Sequence, residues 1–137
     1  MSTEDNKAIV RRFYDEALNQ KNLAAIDEYV DPNIIDHSGS PGGIEGVKQL
    51  FSMTLTAYPD LHLTFEDQIA EGNKVVSRLT WRGTQQGECM GIPPTGKQVT
   101  TTSIDIIRLA DGKAVEHWNV VDNLGMLQQL GVIPTQG

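Results

Sequence analysis

The run SIDIIRLADGKAVEHWNVVD, residues 103–122, decides the fold. Apolar and polar residues alternate along two segments joined by Asp111-Gly112, a dipeptide suited to a two-residue hairpin turn. A period of two means strand, so the segments read as antiparallel partners. NLGMLQQLG follows as a short helix closed by Gly131.

Working back from the hairpin, the same period holds through two more segments. KVVSRLTWRGT and LHLTFEDQIAEG read as strands turned at Gly72-Asn73, with Leu61, Leu63 and Phe65 on one side of the earlier one. The glycine- and proline-rich stretch GECMGIPPTGK separates this pair from the strand Val99–Leu109 and is a candidate pocket rim or lid.

Before Tyr58 the period is 3.6. Val10, Phe13, Tyr14, Ala17 and Leu18 make one stripe of a helix over residues 4–20, capped by Thr3 or Asp5. Leu23, Ile26 and Val30 mark a second helix, stopped at Asp31-Pro32. Val47, Leu50, Phe51, Thr54 and Tyr58 mark a third over 44–57. NIIDHS is a small strand between helices two and three, and SGSPGG is a loop. Helices first and strands later predict an α+β domain spanning 1–137, with three N-terminal helices packed on a curved antiparallel sheet.

Composition narrows the function. The 137 residues carry a formal net charge of −7, which argues against a nucleic-acid partner. No apolar run is long enough to span a membrane, and MSTEDNK lacks the features of a signal peptide. The one cysteine, Cys89, cannot form an internal disulfide, which fits the cytoplasm, and it reads as a small apolar filler. Three scattered histidines give no metal-ligand spacing, and no phosphate-binding glycine motif occurs.

Three segments carry a resemblance: Asp36-His37, MGIPPTGK at 90–97, and SIDIIRLADGKAVEHWNVVDNLGMLQQLG. Together they resemble the SnoaL-like polyketide cyclases (ester cyclases), within the cone-shaped α+β superfamily of nuclear transport factor two. The resemblance implies a cone with an internal pocket, an intramolecular aldol closure of a polyketide ester, no metal and no cofactor. It also implies an aspartate general acid/base, which looks like Asp122 here, with a histidine nearby. The residue on the preceding strand that best faces Asp122 is Asp105, where the chain departs from that pattern.

Strand alternation sorts the candidates. Glu116, Trp118, Val120 and Asp122 share one face of the last strand; His117, Asn119 and Val121 share the other. Taking the first face as the pocket makes Trp118 an apolar wall beside Asp122, and His117 then points away unless a bulge intervenes. Asp122 equally suits the N-cap of the closing helix, a place Asn123 can also fill. Asp105 is an unusual mid-strand carboxylate that either pairs with Asp122 or faces solvent. His37 reads as a proton relay or a structural histidine, and His62 as surface. Arg78 reads as an ion-pair partner of Asp105 or Glu116, or as an enolate stabiliser. Tyr14, Phe51, Met53 and Met90 are candidate wall residues.

These features imply an acid/base enzyme acting on a small, mostly apolar carbonyl substrate. Alternatives are a hydrolase or dehydratase using an Asp105–Asp122 pair, or a non-catalytic small-molecule-binding module. A homodimer through the sheet face, with Val121 in an apolar patch, is expected in each case.

Overall fold

A computed structural model describes residues 1–39 and 42–134; Ser40 and Pro41 of the SGSPGG loop lie outside the described residues. The order is α1 (Thr3–Tyr14), a π-helical turn (Asp15–Asn19), α2 (Ala25–Tyr29), β1 (Val30–Asp36), α3 (Gly43–Ala57), β2 (His62–Glu71), β3 (Lys74–Thr84), β4 (Gln98–Ala110), β5 (Lys113–Val121) and α4 (Asn123–Gln129).

Helix α1 is capped one residue before Thr3 and three before Asp5, the two expected caps. Ser2 is the N-cap: its Oγ accepts the Asp5 N–H at 3.0 Å, while Asp5 Oδ2 accepts the Ser2 N–H at 3.1 Å. The predicted single helix over 4–20 ends its regular part at Tyr14 and widens into the π turn. The reason is Asn19, whose amide donates to Leu63 O at 3.0 Å and whose Oδ1 accepts Leu63 N–H at 2.7 Å. Those two bonds stitch the end of the helix to β2.

The five strands form one open sheet in the order β1-β5-β4-β3-β2. Neighbours from β2 to β5 are antiparallel, and β1 joins β5 in parallel. The β4–β5 register is fixed by the turn at Asp111-Gly112, where Ala110 faces Lys113 and Leu109 faces Ala114. Beyond that the pairing shifts: Arg108 faces Glu116 and Ile107 faces His117, leaving Val115 as an extra residue on β5. One bulged residue exchanges the two faces of everything after it.

The helices cover one face of the sheet. Val10, Phe13, Ala17, Leu18 and Ile26 from the helical layer join Val75, Leu79, Ile107 and Leu109 from the strands in one buried cluster. Leu18 and Leu79 are completely buried, each contributing about 2 kcal/mol relative to exposure. No helix among the described residues is long and apolar enough to cross a membrane.

Candidate active site

Between α1, α3 and the concave face of the sheet lies a cleft of about 730 Å³. Its polar floor comes from strand alternation. On β4 the odd-numbered residues Val99 to Leu109 point inward, which carries Asp105 in with them; it is 2% exposed. Residues directly opposite each other in the sheet share a face, so Ser77 on β3 and Asn119 on β5 flank Asp105.

The Val115 bulge thus overturns the orientation expected for β5. His117, Asn119 and Val121 line the cleft, and the Trp118 ring lies on the outer face. There Trp118 stacks on His37, with ring centroids 5.1 Å apart, and carries the Lys74 ammonium 5.5 Å above it. Val121, expected in an outer apolar patch, belongs to the cleft.

A linked set of hydrogen bonds holds the floor together. His117 Nε2 is 2.7 Å from Asp105 Oδ2, and His117 Nδ1 is 3.0 Å from Asp36 Oδ1. Tyr14 donates its hydroxyl to Asp105 Oδ2 at 3.2 Å, and Ser103 donates to Asp105 Oδ1 at 2.7 Å. Ser103 in turn accepts the Trp81 indole N–H at 2.8 Å. Asp36 reaches His117 because β1 pairs with β5 at Asp36–His117, and Ser38 donates both its N–H and its hydroxyl to Asp36 Oδ1.

These contacts set the protonation states. Burial alone would lower the His117 pKa, but the hydrogen bonds and negative charges of Asp105 and Asp36 outweigh it and raise it to about 9. For Asp36, burial pushes upward, and the donors His117 and Ser38 override it, holding the carboxyl well below the usual carboxylate range. Burial, then the adjacent Asp105 charge, pushes the Tyr14 hydroxyl well above its ordinary value, so it remains a donor. The Asn119 amide lines the cleft with no side-chain hydrogen bond among the described residues, which leaves it available to a ligand.

The other expected residues sort by position. Phe51 and Met53 of α3 line the cleft wall, and Phe51 stacks on Phe13 at 5.6 Å. Met90 lies at the rim, 61% exposed. His37 also borders the cleft, but its Nε2 is engaged by Glu116 Oε2 at 2.8 Å, and Arg108 holds the other Glu116 oxygen at 3.0 Å. That row leaves Arg78 out: it is exposed on the outer face, opposite Ile104 and Asp67. Asp122 is the N-cap of α4; its Oδ1 accepts Gly125 N–H at 2.9 Å at the surface. Asp122 therefore forms no pair with Asp105, and Asn123 is the first residue of the helix rather than its cap.

The loop between β3 and β4 forms a rim pinned from beneath by the fully buried Gln85. The Gln85 amide donates to Ile92 O at 3.1 Å, and its carbonyl oxygen accepts the Thr95 hydroxyl at 2.7 Å. Cys89, on this rim, is an acceptor for the Tyr58 hydroxyl at 3.5 Å.

His117, Asn119, Asp36, Ser103 and Trp81 were not singled out by sequence reasoning as pocket residues. One signal was present: Asp105 had to share its face with Ile107 and Val99, which demanded polar company inside.

The family model for SnoaL-like polyketide cyclase matches residues 8–130. Aklanonic acid methyl ester cyclase of Streptomyces peucetius is 30% identical over 105 residues, covering 76% of this chain and 72% of that protein. Nogalonic acid methyl ester cyclase of Streptomyces nogalater is 28% identical over 120 residues, covering 84% and 90%. The solved structure of TsrD from Streptomyces laurentii superposes with a TM-score of 0.90 at 30% identity, covering 97% of this chain and 99% of that one. By a match that runs almost end to end, on a fold shared with solved relatives, the chain belongs to the SnoaL-like polyketide cyclase family.

Proposed function

We propose that the protein is a cofactor-independent cyclase that closes a ring within a largely apolar carbonyl substrate, using Asp105 as general acid/base. The observation that carries this reading is a buried carboxylate at the floor of an apolar cleft, aimed by Tyr14, Ser103 and His117. Two relatives are named for methyl esters of aklanonic and nogalonic acid, so a polyketide methyl ester is the substrate class to try first. A cleft of about 730 Å³ suits such a ligand, within the roughly 300–1,000 Å³ usual for small-molecule sites.

In the proposed reaction an Asp105 oxygen takes a proton from a carbon flanked by carbonyls, and the C–H electrons become an enolate. The enolate carbon attacks a second carbonyl of the same molecule. A C–C bond forms, the carbonyl electron pair moves to oxygen, and Asp105 returns its proton there. Asn119 is placed to donate to the enolate oxygen, a contact that strengthens as charge develops. Product and substrate have equal mass.

The test is turnover of such an ester by purified protein, followed by mass and chromatographic retention. Asp105→Asn should lower kcat at least ~100-fold with an unchanged circular dichroism spectrum. Retained turnover would refute the assignment. The water-activating alternative paired Asp105 with Asp122, and the place of Asp122 at the α4 cap speaks against it. As a separate part of the proposal, the exposed Ile69, Ile104 and Val120 support a homodimer through the outer sheet face; sedimentation showing only monomer would remove it.

A further inference from the structure

His117 has a carboxylate on each side of its ring. A neutral imidazole has one N–H and one bare nitrogen, whereas an ionised carboxylate only accepts hydrogen bonds. At 2.7 Å to Asp105 and 3.0 Å to Asp36, both nitrogens must therefore donate if both carboxylates are ionised. Asp36 is held in the ionised state by its surroundings: the same Oδ1 that meets His117 also accepts the Ser38 N–H and hydroxyl.

We infer that Asp36 is a positioning residue which, together with Asp105, fixes His117 as a doubly protonated imidazolium, so that His117 serves as a standing positive charge beside the reacting centre rather than as a proton shuttle. This rests on the cyclase reading for its catalytic meaning but not for its structural content. A shuttle must surrender a proton and take it back within each cycle. A ring held from both sides by carboxylates surrenders one only at the cost of leaving a carboxylate facing a bare nitrogen. A fixed cation has a different use: it holds the Asp105 carboxyl in place through the 2.7 Å contact and offsets the negative charge that appears on the enolate.

The groups that face the ring agree. From β4 comes Asp105, and from β1 Asp36; Tyr14 from α1 reaches the same Asp105 oxygen and stays protonated. Helix α3 turns Leu50, Phe51, Met53, Thr54 and Ala57 to the cleft and α4 turns Asn123 and Met126, none of them titratable. Glu116, Arg108 and His37 are paired with one another. The His117 side chain is 12% exposed and that of Asp36 4%, so water screens the pair little.

Nitrogen-15 NMR of protein labelled at histidine reads this directly in the free protein, without substrate. The expected result is two protonated ring nitrogens on His117 at pH 7.5, with deprotonation only near pH 9. Asp36→Asn should bring that titration down by about one pH unit or more. The alkaline limb of kcat should move with it while KM changes less than about twofold, and Asp36→Glu should restore both. A bare nitrogen on wild-type His117 at pH 7.5, or an unmoved titration in Asp36→Asn, would overturn the inference. If the NMR behaves as stated but no polyketide ester is turned over, the cyclase reading fails and the imidazolium stands.

Discussion

His117 Nε2 lies 2.7 Å from Asp105 Oδ2, joining two strands through a contact that is both a hydrogen bond and an ion pair. Folding raises the His117 pKa from about 6.5 to about 9. A raised basic pKa stabilises fully below the unfolded value and loses its effect as pH climbs through the folded one. Asp36 runs the other way: its depressed pKa stabilises above the ordinary carboxylate value and fails as the solution is acidified. Stability should therefore peak between about pH 4 and 6.5. By urea denaturation, unfolding free energy should fall by up to ~3 kcal/mol between pH 6 and pH 9.5. His117→Gln should flatten that decline; a wild-type protein equally stable at both pH values would contradict it.

Ser103→Ala removes the donor to Asp105 Oδ1 and the acceptor of the Trp81 indole in one step. Stability should drop by about 1–3 kcal/mol, the cost of a stranded buried donor. Turnover should drop as well, because Asp105 loses one of the contacts that aim it. Denaturation and kcat measured on the same preparation check both effects.

Asp122→Ala is expected to separate stability from chemistry. Losing the cap on α4 should cost about 1 kcal/mol, visible as a lower thermal midpoint, while kcat stays at the wild-type level. A large kcat loss would return Asp122 to the reaction.

Met90 and Gly91 occupy the two central positions of a tight turn between Cys89 and Ile92, with φ of 51° and 79°. A left-handed methionine carries a penalty of ~1–2 kcal/mol that asparagine largely avoids. Met90→Asn should raise the thermal midpoint while raising KM, since an apolar rim residue is lost. An unchanged KM would detach Met90 from ligand binding.

Periodicity and turn chemistry were enough to read the helices, the meander and its hairpin, because those signals are local. Asp105 stood out for the same reason: a carboxylate amid Ile104, Ile106 and Ile107 needs an explanation. Asp36 was visible only as part of the Asp36-His37 pair; its contact with His117 was not, since that comes through a parallel pairing between strands far apart in the chain. The π turn was hidden as well; it depends on Asn19 meeting β2. The choice between the two faces of β5 was the largest gap. Each face carries a mixture of aromatic or apolar, polar and charged residues, so alternation alone could not rank them.

That gap traces to Val115. A ladder that took Val115 into regular pairing would set Glu116 opposite Ile107 and Trp118 opposite Asp105, and the floor of the cleft would be an indole and a second acid instead of an imidazole and an amide. The strand behaves like a message with two reading frames, and whether Val115 bulges or pairs selects which is expressed in the cavity. Forming or losing the bulge at Val115 would therefore exchange the groups presented to the cleft, with every side chain of the strand left unmutated.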